Sequence, residues 1–257
     1  MSDLIINDYK IGLKNHPFII AEMSGNHNQS LDRALEIVEV AAKTGAHALK
    51  LQTYTADTIT LDVKEGDFFI NDKDNLWKGR SLYELYQEAY TPWEWHKPIM
   101  ERAKELGMLC FSTPFDDTAV DFLEDLNVPA YKIASFEISD INLIRYVAGK
   151  GKPIILSTGV ARKEDIDLAV KTIREVGNNQ IAILKCTSGY PTPLSDVNLN
   201  NMKSLADDYQ VITGVSDHTK DSIVPQLSVA MGGKFIEKHF ILDKRLKIHI
   251  TSNIVRS

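Results

Sequence analysis

The sequence predicts an α/β fold, a (β/α)8 barrel, on three observations. Short runs rich in Ile, Val, Leu and Ala recur eight times along the 257 residues, each mostly apolar from end to end. Strands buried on both faces, as in a parallel sheet, read this way. Helix-patterned segments separate the runs, and eight strands are the number that closes a TIM-type barrel. The competing doubly wound sheet calls for a Gly-rich phosphate turn after an early strand, and neither GxGxxG nor a Walker-type loop is present.

The elements follow in order. Residues 1–17 precede the first run and are expected to form an extension or hairpin closing the bottom of the barrel, with Gly12 in it. FIIAEM from Phe18 is the first strand. Ser30 is placed to cap a helix in which Leu31, Ala34, Leu35, Val38, Ala41 and Ala42 recur at three- and four-residue spacing. HALKLQ from His47 is the second strand. A long connection from Tyr54 to about Gly79, carrying Phe68, Phe69 and Trp77, reads as a binding loop or as a surface excursion pinned by its aromatics.

Thr91-Pro92-Trp93-Glu94 reads as N-cap, first-turn proline and capping-box glutamate of a helix to about Leu106. GMLCFST from Gly107 and AYKIAS from Ala130 are strands three and four, with a short helix from Asp116 to Leu126 between them. A helix near Asn142–Gly149 leads to PIILST from Pro153. The stripe Ile166, Ala169, Val170, Ile173 and Val176 is a further helix, with Gly177 as its stop. IAILKC from Ile181, VITGVSD from Val211 and KFIEKHF from Lys234 complete the strands, with helices near Leu199–Asp208 and Ser222–Met231. The barrel spans 18–240.

Composition narrows the class. A net charge of −6 argues against a nucleic-acid surface, which needs a clustered basic excess. No run approaches the length of a membrane span, and the start MSDLIINDYK has no basic region followed by an apolar one, so a cytoplasmic protein is expected. Cys110 and Cys186 sit in apolar runs without a CxxC or disulfide spacing and read as buried thiols.

The C-terminal ends of the strands, where such barrels carry their chemistry, are unusually polar. The first ends on Glu22, followed by the polar knot Ser24, Gly25, Asn26, His27 and Asn28, in which Gly25 is expected to let the backbone turn. The second carries Lys50 and Gln52 on one face; the third ends Ser112-Thr113; the fourth holds Lys132 and Ser135. The fifth ends Ser157-Thr158, the sixth Thr187-Ser188, the seventh Ser216-Asp217-His218, and the eighth carries Glu237 and His239. An unpaired buried charge costs on the order of several kcal/mol, so the lysines are expected to await an anionic guest, a phosphate or a carboxylate. His218 and His239, on adjacent strands, are placed to share a divalent metal whose identity two histidines do not fix.

The segments AEMSGNHNQS, LKLQTYTADT, FSTPFD, YKIASFE, LSTG, CTSGYPTP, SDHT and IEKHF together resemble the nonulosonic (sialic-type) acid synthases, over roughly Phe18 to Phe240. AEMSGNHNQ, LWKGRSLYELY and TPWEWHKP carry a finer likeness to the pseudaminic acid branch, with sialic and legionaminic acid synthases as alternatives. The resemblance implies condensation of phosphoenolpyruvate with the aldehyde of an N-acetylated amino sugar, with release of phosphate and with a divalent metal, manganese in most members. It implies that Lys50, Thr113, Lys132, Ser135, Ser157, Ser188 and Ser216 hold phosphoenolpyruvate, and that His218 and His239 hold the metal. It further implies that Glu22 handles protons near the reacting centre with Glu237 as a second nearby acid, that Gln52 and Tyr190 face the sugar, and that the enzyme is a homodimer.

After Phe240 the likeness stops. Members continue with an acidic Gly-Gly-Pro-Asp loop, an eighth helix and a small antifreeze-like domain, whereas this chain reads ILDKRLKIHITSNIVRS. The expectation is a barrel without its eighth helix and an atypical tail over 241–257. A frameshifted or truncated copy, binding ligand with little or no catalysis, is the alternative functional reading.

Overall fold

The computed structural model describes residues 2–71 and 77–242. Two short strands, β1 (Leu4–Ile6) and β2 (Tyr9–Ile11), pair antiparallel about a turn whose Asn7 has φ 48°. Asparagine tolerates this left-handed geometry better than most residues. Leu4, Ile6 and Ile11 are buried against Phe18, and Tyr9 meets Phe18 edge-on at 5.2 Å, so the hairpin plugs one end of the barrel.

The barrel itself is β3 (Phe18–Glu22), β4 (Ala48–Thr53), β5 (Leu109–Pro114), β6 (Tyr131–Ile133), β7 (Ile154–Ser157), β8 (Ile181–Cys186), β9 (Ile212–Asp217) and β10 (Phe235–His239). These eight strands are all parallel and closed, with β10 pairing β3. Between them run α1 (Leu31–Lys43), α2 (Ala56–Ile59), α3 (Leu82–Ala89), α4 (Trp93–Glu105), α5 (Asp117–Asp125), α6 (Ile141–Gly149), α7 (Lys163–Glu175), α8 (Asn200–Tyr209) and α9 (Ile223–Ala230). The described residues end just past β10, so the expectations for the eighth helix and for most of the tail fall on residues outside them.

Period-two alternation sorts each strand between its two faces. On β4, Leu49 and Leu51 pack outward on Ala34, Ile37 and Val38 of α1 and Ile99 and Ala103 of α4, which leaves Lys50 and Gln52 facing the barrel interior. Ser30 caps α1 through the Arg33 N–H, and Gly177, φ 85°, lies just past the end of α7.

Two local readings are corrected. Thr91 does not cap α4: the helix begins at Trp93 with Pro92 in the cap position, and the Thr91 hydroxyl instead bonds Nε2 of His27 at 3.1 Å. A buried partner from another loop outcompeted the helix end for the hydroxyl. Conversely, α3 was not expected, although Ser81 and Glu84 form a capping box that is plain in the sequence. The long connection holds α2, and Trp77 packs on Leu85 and Ala89 of α3, so it is partly structured.

Gly214 on β9 lets β10 come close. A Cβ there would lie 2.1 Å from the Phe235 carbonyl oxygen, a backbone atom that cannot step aside. Gly214→Ala is expected to destabilise the fold by about 3 kcal/mol, read as a lower urea midpoint at unchanged slope.

Candidate active site

Strand register builds the site. Glu22 ends β3 and is the register partner of Lys50 on β4 and of His239 on β10; Glu237 is the partner of Ser216 on β9. Parallel neighbours in register point the same way, so the carboxylates, a lysine and an imidazole gather at one mouth of the barrel. They line a cavity of about 280 Å³, room for a small metabolite.

Four buried charges balance one another. Lys50 Nζ lies 3.0 Å from Glu22 Oε2 and 3.2 Å from Glu237 Oε2, and Lys132 Nζ lies 3.9 Å from Glu237 Oε1. Glu237 Oε1 also accepts a hydrogen bond from Ser216 Oγ at 2.8 Å. Burial pushes both carboxyls up, with unequal results. In Glu237 the two lysines and Ser216 outweigh burial and hold the group below the usual carboxylate range. In Glu22 burial wins over Lys50 and Ser24, and the neighbouring Glu237 charge adds to it, so its pKa is raised. Of the pair, Glu22 takes up a proton first.

The expectation that both lysines await an anion is therefore corrected. Lys50 is neutralised within the protein by two carboxylates, which hold its pKa above the ordinary lysine value despite burial. Lys132 is the less satisfied cation: its Nζ donates to the Ile133 carbonyl at 3.0 Å, and burial, with repulsion from Lys50, lowers its pKa to about 8. Serine hydroxyls line the same cavity. Ser157 Oγ is buried without a partner, Ser135 Oγ accepts the Gly159 N–H at 2.9 Å, and Ser188 lines the same wall.

Gly159 makes that wall possible. A Cβ at this position would fall 2.2 Å from Ser188 Oγ and 2.8 Å from Ser135 Oγ. Both hydroxyls must move in Gly159→Ala. The expected result is a rise of about tenfold in the dissociation constant for an anionic ligand with little change in melting temperature, measured by calorimetry and thermal unfolding.

His218 and His239 face each other with ring centroids 5.4 Å apart, and Tyr190 lies over His218 at 4.0 Å. Nδ1 of His218 meets the Thr187 carbonyl at 3.0 Å, and Nδ1 of His239 meets Ser24 Oγ at 3.3 Å. A carbonyl only accepts, so Nδ1 of His218 donates; burial works against a second proton on this ring but the Cys186 and Thr187 contacts raise its pKa, so its Nε2 is a lone-pair donor in the neutral form. With His239 it could then offer two imidazole nitrogens to a divalent cation. Burial, with the charges of His218 and Lys50, lowers the His239 pKa to about 3 and keeps it neutral, as a ligand must be. Among the described residues no cluster of three or more His, Cys, Asp and Glu side chains could hold a metal. Two imidazoles would leave a cation's other positions to water or substrate oxygens.

Twelve of the thirteen residues singled out in the sequence line this one cavity: Glu22, Lys50, Gln52, Lys132, Ser135, Ser157, Ser188, Tyr190, Ser216, His218, Glu237 and His239. Thr113 does not; it is fully buried on β5 beside Gln52, with its hydroxyl unpartnered. The polar knot after β3 is mostly structural. Asn26 donates to the Phe240 carbonyl, His27 meets Thr91, and Ser24 alone of its residues lines the cavity. Its turn is also misread from sequence: Ser24, φ 47°, and Asn28, φ 48°, are the left-handed residues, while Gly25 sits inside a short 3-10 turn, Ser24–His27.

Sequence reasoning missed the aromatic wall and one acid. Tyr54 and Ile59 come from the long connection and Tyr86 from α3, so that excursion does contribute to the mouth. The Ser81–Glu84 capping box would have located Tyr86. Glu137, two residues past Ser135, has a buried Oε2 without a partner, and burial pushes its pKa up to about 7 despite Lys132 and Lys50. Such a carboxyl can give or take a proton near neutrality.

Comparison with known proteins follows this geometry. Residues 37–249 match the profile of the NeuB family. The chain is 47% identical over 230 residues to pseudaminic acid synthase of Campylobacter jejuni, covering 90% of this chain and 66% of that protein. It is 47% identical to pseudaminic acid synthase of Helicobacter pylori (90% and 67% covered) and 39% identical to N,N'-diacetyllegionaminic acid synthase of Legionella pneumophila (89% and 65%). It thus spans about two thirds of the length of these relatives. A crystal structure of N-acetylneuraminic acid synthetase from Leptospira borgpetersenii superposes with a TM-score of 0.86 at 31% identity, covering 98% of this chain and 82% of that one.

Proposed function

Because this chain belongs to the NeuB family, we propose that it condenses phosphoenolpyruvate with the open-chain aldehyde of an N-acetylated amino sugar. The products are a nonulosonic acid of the pseudaminic type and inorganic phosphate, made in the cytoplasm. The observation that carries this reading is the under-satisfied Lys132, which shares a cavity with Ser135, Ser157 and Ser188 and with two carboxyls of opposite tuning.

In this reading Lys132 and the serine hydroxyls receive the phosphate and carboxylate of phosphoenolpyruvate, with Lys50 beside them. Ser216 acts indirectly, because its hydroxyl already holds Glu237. The enol carbon bonds to the aldehyde carbon, and the aldehyde oxygen must gain a proton. Two carboxyls pushed apart in pKa divide such work: the one held up gives the proton, the one held down remains an anion. Glu22 is then the donor, and Glu237 stays charged to support cation development at the former enol carbon. Water adds at that carbon and loses a proton as the C–O bond to phosphate breaks. Gln52 and Tyr190, which line the same cavity, orient the sugar. His218 and His239 would hold a divalent metal, manganese, which when bound polarises the aldehyde and orients water.

The test is phosphate release by the purified chain from phosphoenolpyruvate and manganese, with the pseudaminic precursor sugar beside N-acetylmannosamine. Release with the first sugar alone, abolished by chelator, is the expected result. Release only with N-acetylmannosamine would move the assignment to the sialic acid branch. No release with any sugar, while phosphoenolpyruvate still binds, would overturn the catalytic reading in favour of a binding-only copy.

A further inference from the structure

Ser24 combines two features that rarely coincide. It is buried, and its backbone is left-handed, φ 47°, a conformation that disfavours a side chain and suits glycine. A residue kept in such a conformation points to a use for its side chain. The Ser24 hydroxyl lies between two groups from different strands, 2.6 Å from Glu22 Oε1 and 3.3 Å from His239 Nδ1.

The direction of these bonds is fixed by counting protons. With Glu22 ionised beside Lys50, its Oε1 accepts both the Ser24 backbone N–H at 3.0 Å and the Ser24 hydroxyl. The short contact therefore uses the one hydroxyl proton. What Ser24 Oγ then offers His239 is a lone pair, and Nδ1 must carry the ring proton to meet it. The neutral imidazole has a single N–H, which leaves Nε2 bare.

We propose that Ser24 is a positioning residue that fixes the tautomer of His239, tying the carboxyl end of β3 to the metal-facing nitrogen on β10. The side chain is retained at a glycine-like φ because the relay needs an oxygen there. This rests on the reading that His218 and His239 hold a divalent cation. A serine hydroxyl so placed also couples the two groups: any ligand that draws on Glu22 is felt at His239 without touching it.

Ser24→Gly is the informative change, since it removes the hydroxyl and relieves the backbone at once. Histidine ring ¹⁵N spectra of the full metal-free chain, with His239 assigned by the signals lost in His239→Gln, report the tautomer directly. The wild type is expected to show Nδ1 protonated and Nε2 bare. Ser24→Gly is expected to give a mixture of tautomers and to bind Mn²⁺ about 10- to 100-fold more weakly, with no loss of melting temperature. A wild-type His239 protonated at Nε2 would overturn the proposal, as would a variant with unchanged tautomer, whatever its melting temperature. Should wild type bind no manganese, the metal reading fails while the tautomer measurement still decides the relay.

Discussion

Lys132→Met should raise the dissociation constant for phosphoenolpyruvate by about 100-fold, close to 3 kcal/mol, while leaving the fold intact. Methionine matches the lysine stem in volume, and the ammonium it removes is only loosely tied to the protein. Among the described residues its nearest ion-pair oxygen is 3.9 Å away, and its Nζ donates to a backbone carbonyl. The lowered pKa of about 8 adds a signature in pH. An anion favours protonated Lys132, so binding should be strongest below pH 8 and weaken by about tenfold per pH unit above it. Stability of the ligand-free chain runs the other way. The unfolded lysine keeps its proton to its ordinary range near 10.5 and the folded one loses it near 8, so this residue adds stability as pH rises between those values. Calorimetry of wild type and Lys132→Met across that window checks both signs; an unchanged affinity in the variant would remove Lys132 from the anion site.

Glu237→Gln should be the most damaging change to the fold at this site, costing about 3–5 kcal/mol. Among the described residues Glu237 is the one carboxylate within 4 Å of both lysines, and without it Lys50 keeps only the Glu22 ion pair and Lys132 keeps no ion pair. Glutamine preserves the shape and can still accept from Ser216, so the loss reports charge rather than packing. The same substitution leaves an excess of positive charge in the cavity. Phosphate should therefore raise the melting temperature of Glu237→Gln more than that of wild type, even as turnover falls. A variant as stable as wild type in urea, or indifferent to phosphate, would mean the four charges are not coupled as the distances indicate.

The barrel was legible because its signals are local. Apolar runs such as IAILKC and the spacing of Ile166, Ala169, Val170 and Ile173 each report on a few consecutive residues, and β8 and α7 lie where those patterns put them. The rim was legible for the same reason: Lys50 and Gln52, or Glu237 and His239, share a face by period two alone. Where non-local contacts compete, local reading fails. Thr91 looks like a cap until His27, 64 residues earlier, claims its hydroxyl. Gly25 looks like the turn residue until the Glu22 and His239 contacts of its neighbour Ser24 are seen.

By itself, then, the sequence determined the strands, most of the helices and many of the side chains that face the mouth, since each follows from residue spacing along one element; Tyr86 and Glu137 escaped it, and Thr113 does not line the cavity. Only the tertiary structure decided which of those charges neutralise one another. Lys50 and Lys132 are alike as residues at strand ends, yet one meets two carboxylates and the other a carbonyl. That difference arises from strand register and barrel closure, which bring β3, β4 and β10 together. In a medium that screens poorly, ångström differences in those distances set which lysine remains available to bind an anion.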